Sequence, residues 1–286
     1  MRRTMLYLPG NNPNMLTRGY LFGSDGIILD LEDAVAMVEK DTARILVSKY
    51  LQQGEFGDCY GSVRINGIDT EYWKDDLAAI VPNKRLDGIR VPKVEDENTV
   101  KIIDEELSRL EEQNGLPVGK LSLHCLLETA HGIWNAYEIA KASPRIEAII
   151  PGGEDLRADL KTNRSDDSTE LEWARRMLVF AARAAGVEPL DTVFARITDD
   201  EGLRKETEFI KQLGFSGNSI IHPNQIKIIH DIFTPTEQEI AKAQKIIAAA
   251  KEAAARGQGA VTVDGKMVDI PVVKRAEYTL VRAGLA

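Results

Sequence analysis

Eight times before residue 234, a short apolar run ends in polar or turn-forming residues and gives way to a helical pattern. The runs are Thr4–Leu8, Gly26–Leu31, Tyr60–Ile65, Gly88–Val94, Leu121–Glu128, Ile146–Ile150, Asp191–Ala195 and Ser219–Ile221. Helical spacing is predicted from Pro13 to Phe22, then over Ala34–Leu51, Glu71–Ile80, Asp96–Gln113, Ile133–Ala142, Leu171–Ala185, Gly202–Leu213 and Gln225–Ile232. Repeated strand-then-helix units build parallel α/β folds. Two features favour a closed (β/α)₈ TIM barrel over an open doubly wound sheet. No G-x-G-x-x-G follows any strand. Polar residues also gather at nearly every strand's C-terminal end, as a ring of active-site loops requires.

The expected division is a barrel over 1–233 and a C-terminal helix and lid segment over 234–286. An Ala-rich helix, Glu237–Ala255, is closed by Arg256-Gly257, and a hairpin is predicted around Asp264-Gly265. The formal charge of −9 and a pI of about 5.2 argue against nucleic acid or an anionic membrane as partner. No apolar run reaches the roughly 18 residues of a membrane span. The apolar segment after Met1-Arg2-Arg3 stops at Pro9-Gly10, too short for a signal peptide. Cys59 and Cys125 are the only cysteines, and Cys125 falls inside an apolar strand. A disulfide framework is not expected, and a reducing cytoplasm is the expected home.

Alternation along a strand sorts the polar residues by face. Gly26, Ile28, Asp30 and Glu32 share one face, while Ile27, Leu29 and Leu31 form the apolar set that meets helices. Asp30 and Glu32 therefore point to the barrel axis, as do Arg64 and Asn66 in the third strand and Glu128 at the end of the fifth. Strands five and six are neighbours about 4.8 Å apart, so Glu128 and an acid after strand six can share a cation. Glu154 and Asp155 are the candidates, and Gly152-Gly153 prevents parity from choosing between them. Converging carboxylates repel one another. A hard divalent cation, Mg²⁺ with Mn²⁺ as the alternative, relieves this. An internal ion-pair network with Arg64, Arg90 and Lys93 relieves it equally well. His124 reads as a core histidine and His230 as a helix residue, whereas His131 and His222 fall at strand ends where they can reach a ligand. Gly10, Gly153 and Gly217 can bring backbone amides to an anion, but none forms a P-loop.

These residues carry a resemblance. Leu6-Tyr7-Leu8-Pro9-Gly10-Asn11, Asp30-Leu31-Glu32-Asp33-Ala34-Val35, Arg64-Ile65-Asn66-Gly67, Pro92-Lys93, Leu127-Glu128-Thr129 and Gly153-Glu154-Asp155-Leu156 resemble motifs of the citrate lyase β-subunit family. So do Leu213-Gly214-Phe215-Ser216-Gly217, Ile221-His222-Pro223-Asn224-Gln225 and Gly265-Lys266-Met267-Val268-Asp269, and the similarity runs in order along nearly the whole chain. The resemblance implies a Mg²⁺-dependent (β/α)₈ lyase that cleaves a citryl thioester, on an acyl carrier protein subunit or on CoA, to oxaloacetate and an acetyl thioester. It implies Glu128 and Asp155 as metal ligands and Arg64, Glu128 and Asp269 as catalytic. It places substrate against Arg64, Glu128, Asp30, Glu32, Pro9 and Gly10. It also implies citrate lyase α and γ subunits as partners, and a homotrimer in which Asp269 reaches the neighbouring chain's site. The hydroxyl base stays open among Asp30, Glu32 and a metal-activated water. Asn218 departs from the family, where many members carry Lys, so a phosphate contact there is in doubt. Other possibilities are a malyl-, citramalyl- or β-methylmalyl-CoA lyase, a pyruvate-type aldolase on the same barrel, and a non-catalytic scaffold subunit.

Overall fold

The computed structural model of the chain describes residues 2–54 and 56–285. The apolar runs become β1 (Thr4–Pro9), β2 (Gly26–Asp30), β3 (Tyr60–Arg64), β4 (Gly88–Val91), β5 (Ser122–Leu127), β6 (Ile146–Pro151), β7 (Glu188–Asp191) and β8 (Gly217–Ile220). All pair in parallel in chain order, and β8 returns to β1 to close the barrel. The helices between and after them are α1 (Pro13–Arg18), α2 (Lys40–Gln53), α3 (Trp73–Ile80), α4 (Glu97–Gln113), α5 (Ala130–Trp134), α6 (Ala136–Ala140), α7 (Gly153–Asp159), α8 (Glu172–Ala185), α9 (Asp200–Leu213) and α10 (Asn224–Phe233). The strands are buried on both faces, which is why their sequences read as nearly continuous apolar runs. Met5, Ile28, Leu126, Ala148, Ile150 and Leu190 pack together inside the barrel. Several helix starts are set locally: Asp96, Thr129 and Asp199 each accept a backbone N–H of the first turn, a cap worth about 1 kcal/mol.

Register aligns the strand ends that matter. Pro9 pairs with Asp30, and Asp30 with Arg64, so three adjacent strands present their last residues side by side.

The seventh strand departs from expectation. It runs Glu188–Asp191 and ends where the sequence pattern placed its beginning. Pro189 hides it, because a residue without an N–H argues against a central strand. The fourth strand stops at Val91, before Pro92 and a left-handed Lys93 at φ 52°. The stretch expected as one helix over Ala34–Leu51 opens with a 3₁₀ turn at Met37–Glu39 and turns α-helical at Lys40. The helix expected over Ile133–Ala142 is two short ones broken at Asn135.

The chain divides into two compact units, Arg2–His230 and Asp231–Ala286. The second contains α11 (Glu237–Ala255), a hairpin of β9 (Val261–Val263) and β10 (Lys266–Val268), and α12 (Ile270–Arg282). Thr236 and Glu239 form a reciprocal capping box at the start of α11. Asp264 at φ 48° and Gly265 at φ 73° make the hairpin turn, whose two left-handed residues match strand twist. Ala243, Ile246, Val268 and Ala276 form this unit's own core. Helix α12, which the sequence reading did not predict, supplies Ala276. Among the described residues no helix is long and apolar enough to cross a membrane.

Candidate active site

A cavity of about 420 Å³ opens among the C-terminal strand ends of the barrel. Pro9, Asp30 and Arg64 reach it as the last residues of β1, β2 and β3. Glu128 follows the last residue of β5, and Glu154 and Asp155 lie in the first turn of α7. Leu126 and Ile150 give it an apolar wall. Strand alternation thus delivers Asp30, Arg64 and Glu128 to one space from three strands.

The acids at this mouth fall into two groups. Arg64 gathers the first. Its Nε donates to Asp30 Oδ1 at 2.7 Å, its Nη2 to Asp30 Oδ2 at 2.6 Å, and its Nη1 to Asp33 at 3.1 Å. Glu32 Oε2 lies 2.7 Å from Nη1 and makes no aligned hydrogen bond. Three of the five guanidinium donors are used, which leaves one on each terminal nitrogen. Asp30 is saturated, since its oxygens also accept the amides of Glu32 and Ala34. Glu32 does not line the cavity. Burial raises its proton affinity, Arg64 pulls it down, and Asp33, Glu128 and Asp30 push it up again, to a pKa of about 8.

Glu128 and Asp155 form the second group, and no basic side chain of the described residues pairs with either. Glu128 is 4% exposed. Its Oε2 accepts the Lys93 amide at 3.0 Å, an amide aimed by the left-handed turn there. Burial and the Asp155 carboxylate raise Glu128 to about 7. Burial, and the charge of Asp33 next, raise Asp155 as well. Gly152 leaves room for the Glu128 carboxylate: a Cβ there would fall 2.5 Å from Glu128 Oε1. Glu154, the other candidate, is taken by Arg157 at 2.8 Å and by Arg164.

The described residues bring no three His, Cys, Asp or Glu side chains together as a protein-only metal cage. Two carboxylates with neither cation nor side-chain donor are nonetheless a fitting set for a hard divalent ion that keeps open positions.

Other groups expected at the ligand have partners within the chain. The Gly10 amide is spent on the Asp30 carbonyl at 2.8 Å, and Gly10 does not line the cavity. The Gly153 amide donates to Thr192 at 3.0 Å. His131 bonds Asn135 at 3.1 Å, His222 accepts the Asn224 amide at 3.2 Å, and neither lines the cavity. Arg90 pairs with no carboxylate of the described residues; it bonds Tyr7 and Ser219 instead. Both residues line the cavity, and strand parity was the signal in the sequence that could have found them. Asp269 lies in the second unit, where it caps α12 by accepting the Val272 amide at 3.3 Å.

A closed parallel barrel with acids and an arginine at its C-terminal mouth defines a (β/α)₈-barrel enzyme. The model of the HpcH/HpaI aldolase/citrate lyase family matches residues 3–223. Citrate lyase subunit beta of Leuconostoc mesenteroides subsp. cremoris is 45% identical over 280 residues, 98% of this chain and 92% of that protein. A (3S)-malyl-CoA thioesterase of Cereibacter sphaeroides is 37% identical over 281 residues, 98% of this chain and 94% of that protein. The crystal structure of protein CitE from Mycobacterium tuberculosis in complex with magnesium, acetoacetate and coenzyme A is 31% identical. It superposes with a TM-score of 0.80 over 99% of this chain and 98% of that one. The chain belongs to the HpcH/HpaI aldolase/citrate lyase family.

Proposed function

We propose that the protein is a Mg²⁺-dependent carbon–carbon lyase, the β subunit of a citrate lyase, cleaving a citryl thioester to oxaloacetate and an acetyl thioester. One observation carries the chemistry: Arg64 gathers Asp30, Glu32 and Asp33 around its single charge, while Glu128 and Asp155 have no basic partner among the described residues in the same cavity. Glu128 and Asp155 would hold the metal. When bound, it would supply positive charge that stabilises the oxygen which becomes the keto carbonyl.

The chain's own groups do the rest. Asp30 fixes the plane of Arg64, and the guanidinium at the cavity wall meets the charge that develops on the thioester enolate. Glu32 is buried behind Arg64 and does not line the cavity, so as the hydroxyl base it would act through a water. Leu126 and Ile150 limit water around the enolate. Asp269 is the acid that returns a proton to the enolate carbon, supplied by the neighbouring subunit of a homotrimer. The acyl group arrives on the carrier protein or on CoA, with citrate lyase α and γ subunits as partners. Two free thiols, Cys59 and Cys125, support a reducing cytoplasm as the location.

The test is mass spectrometry of the products after mixing the protein with citryl thioester and Mg²⁺. Oxaloacetate and acetyl thioester are expected, and intact citryl thioester overturns the reading. The likeness to the malyl-CoA thioesterase supports a second reading, action on a malyl-type CoA thioester. A panel of free CoA esters against carrier-bound thioesters separates the two.

A further inference from the structure

Beneath the cavity lies a charge that this chemistry leaves unused. Arg90 stands in β4, and pleat alternation sends its side chain into the barrel. It is fully buried. Its Nη1 crosses the interior to the opposite wall, donating to the Tyr7 hydroxyl on β1 at 3.2 Å and the Ser219 hydroxyl on β8 at 2.8 Å. Its Nε and Nη2 meet no acceptor. A buried guanidinium without a carboxylate is unfavourable unless its field is used.

Tyr7 and Ser219 both face the cavity. A guanidinium has donors and no acceptor, so neither hydroxyl can turn its proton back toward Arg90. Among the described residues no protein group accepts either proton. The cavity is the space left to them. The Arg64 guanidinium lies over the Tyr7 ring, 4.9 Å from its centre, and Arg90 lies 5.4 Å from the same centre, so Tyr7 stands beside both charges.

We propose that Arg90 is a positioning residue that fixes the Tyr7 and Ser219 hydroxyls as a donor pair for the thioester oxygen. The inference rests on the lyase reading. In that reaction the C–C bond breaks and its electron pair passes into the thioester enolate. The hydroxyl proton goes to the base, the electron pair it leaves on that oxygen forms the C=O of the keto acid, and the enolate carbon later takes up a proton from the acid. The enolate oxygen carries the new charge, and the two O–H groups meet it. Arg90 touches no substrate; it orients both hydroxyls and strengthens them as donors through its charge.

A mutant cycle tests this. Parent turnover of citryl, malyl and citramalyl thioesters is measured first and tests the lyase reading by itself. The cycle then uses whichever thioester the parent cleaves. Tyr7→Phe combined with Ser219→Ala is expected to lower kcat about a hundredfold, as loss of oxyanion donors does, with KM within about threefold. Arg90→Met is expected to fall to a similar level. Adding Arg90→Met to the hydroxyl double variant is expected to change kcat by less than about twofold, because the three groups act as one. Arg90→Lys, with charge and a donor retained, is expected to recover part of the loss. An active parent with a fully active hydroxyl double variant overturns the inference and leaves the lyase reading standing. Multiplicative loss in the triple variant also overturns it. If Arg90→Met does not fold, Arg90→Lys takes its place, and the hydroxyl double variant still decides. A parent that cleaves none of the thioesters overturns both readings.

Discussion

Arg64 holds both oxygens of Asp30, with Nε 2.7 Å from Oδ1 and Nη2 2.6 Å from Oδ2. The fork is planar and the pair buried, so the carboxylate sets the orientation of the guanidinium. In the proposed reaction Asp30 would act through Arg64, because both of its oxygens are engaged.

Breaking that grip is expected to harm catalysis without removing the positive charge. Asp30→Asn turns one acceptor into a donor facing the guanidinium, and Arg64→Lys removes the fork. Each is expected to lower kcat/KM by at least about tenfold, or about 1.4 kcal/mol of transition-state stabilisation. Asp30→Asn should also lower Tm, because it leaves a buried charge half-paired. Steady-state kinetics beside calorimetry checks this, and a fully active Arg64→Lys would mean that charge alone matters.

Glu128→Gln and Asp155→Asn are expected to abolish turnover and weaken Mg²⁺ binding. Glu128 also makes the metal-free protein sensitive to pH. Its folded pKa of about 7 lies above the ordinary glutamate value of 4.5. Between those values the folded state holds a proton that the unfolded state has lost, so this contribution to stability falls as pH rises through the interval. Glu128→Gln removes it, and metal-free Glu128→Gln should melt higher than the parent at pH 8. Mg²⁺ must displace the same proton, so titration calorimetry in two buffers should register proton release below about pH 7. Parent-like Mg²⁺ affinity in both variants would reassign the ligands.

Gly152→Ala places a methyl group 2.5 Å from Glu128 Oε1, with the Glu128 Cγ at 2.3 Å. The carboxylate must move. Overpacking of this kind costs about 1–3 kcal/mol, and the larger effect should be on Mg²⁺ affinity and kcat. Equilibrium dialysis with Mn²⁺ as a paramagnetic probe measures the first, and unchanged binding would show that Glu128 has room to yield.

The shared-site proposal predicts complementation. Asp269→Asn and Glu128→Gln assemblies should each be nearly inactive. Mixed chains should regain part of the activity, because some sites receive both intact groups. Absence of recovery in verified mixed oligomers would sink the proposal, as would a fully active monomer.

Alternation along a strand is a local property, and helix caps are local too. The inward set Asp30, Arg64 and Glu128, and the start of α11 at its capping box, could therefore be read from the chain alone. Eight strand–helix units likewise pointed to the barrel. The short strand at Glu188–Asp191 was obscured by Pro189, and α12 went unread within a tail judged by its hairpin.

Pairing among distant side chains is a different matter, because it depends on closure of the barrel and on register. Asp30 and Arg64 meet because β2 and β3 align them side by side. Arg90 looked like one more ion-pair partner, but closure brings β1 and β8 together opposite it. Its partners lie 83 and 129 residues away in sequence. Asp155 is distinguished from Glu154 only where Arg157 and Arg164 fold back onto the latter. Which carboxylates stay uncompensated depends on where every cation ends up, and no local pattern carries that information.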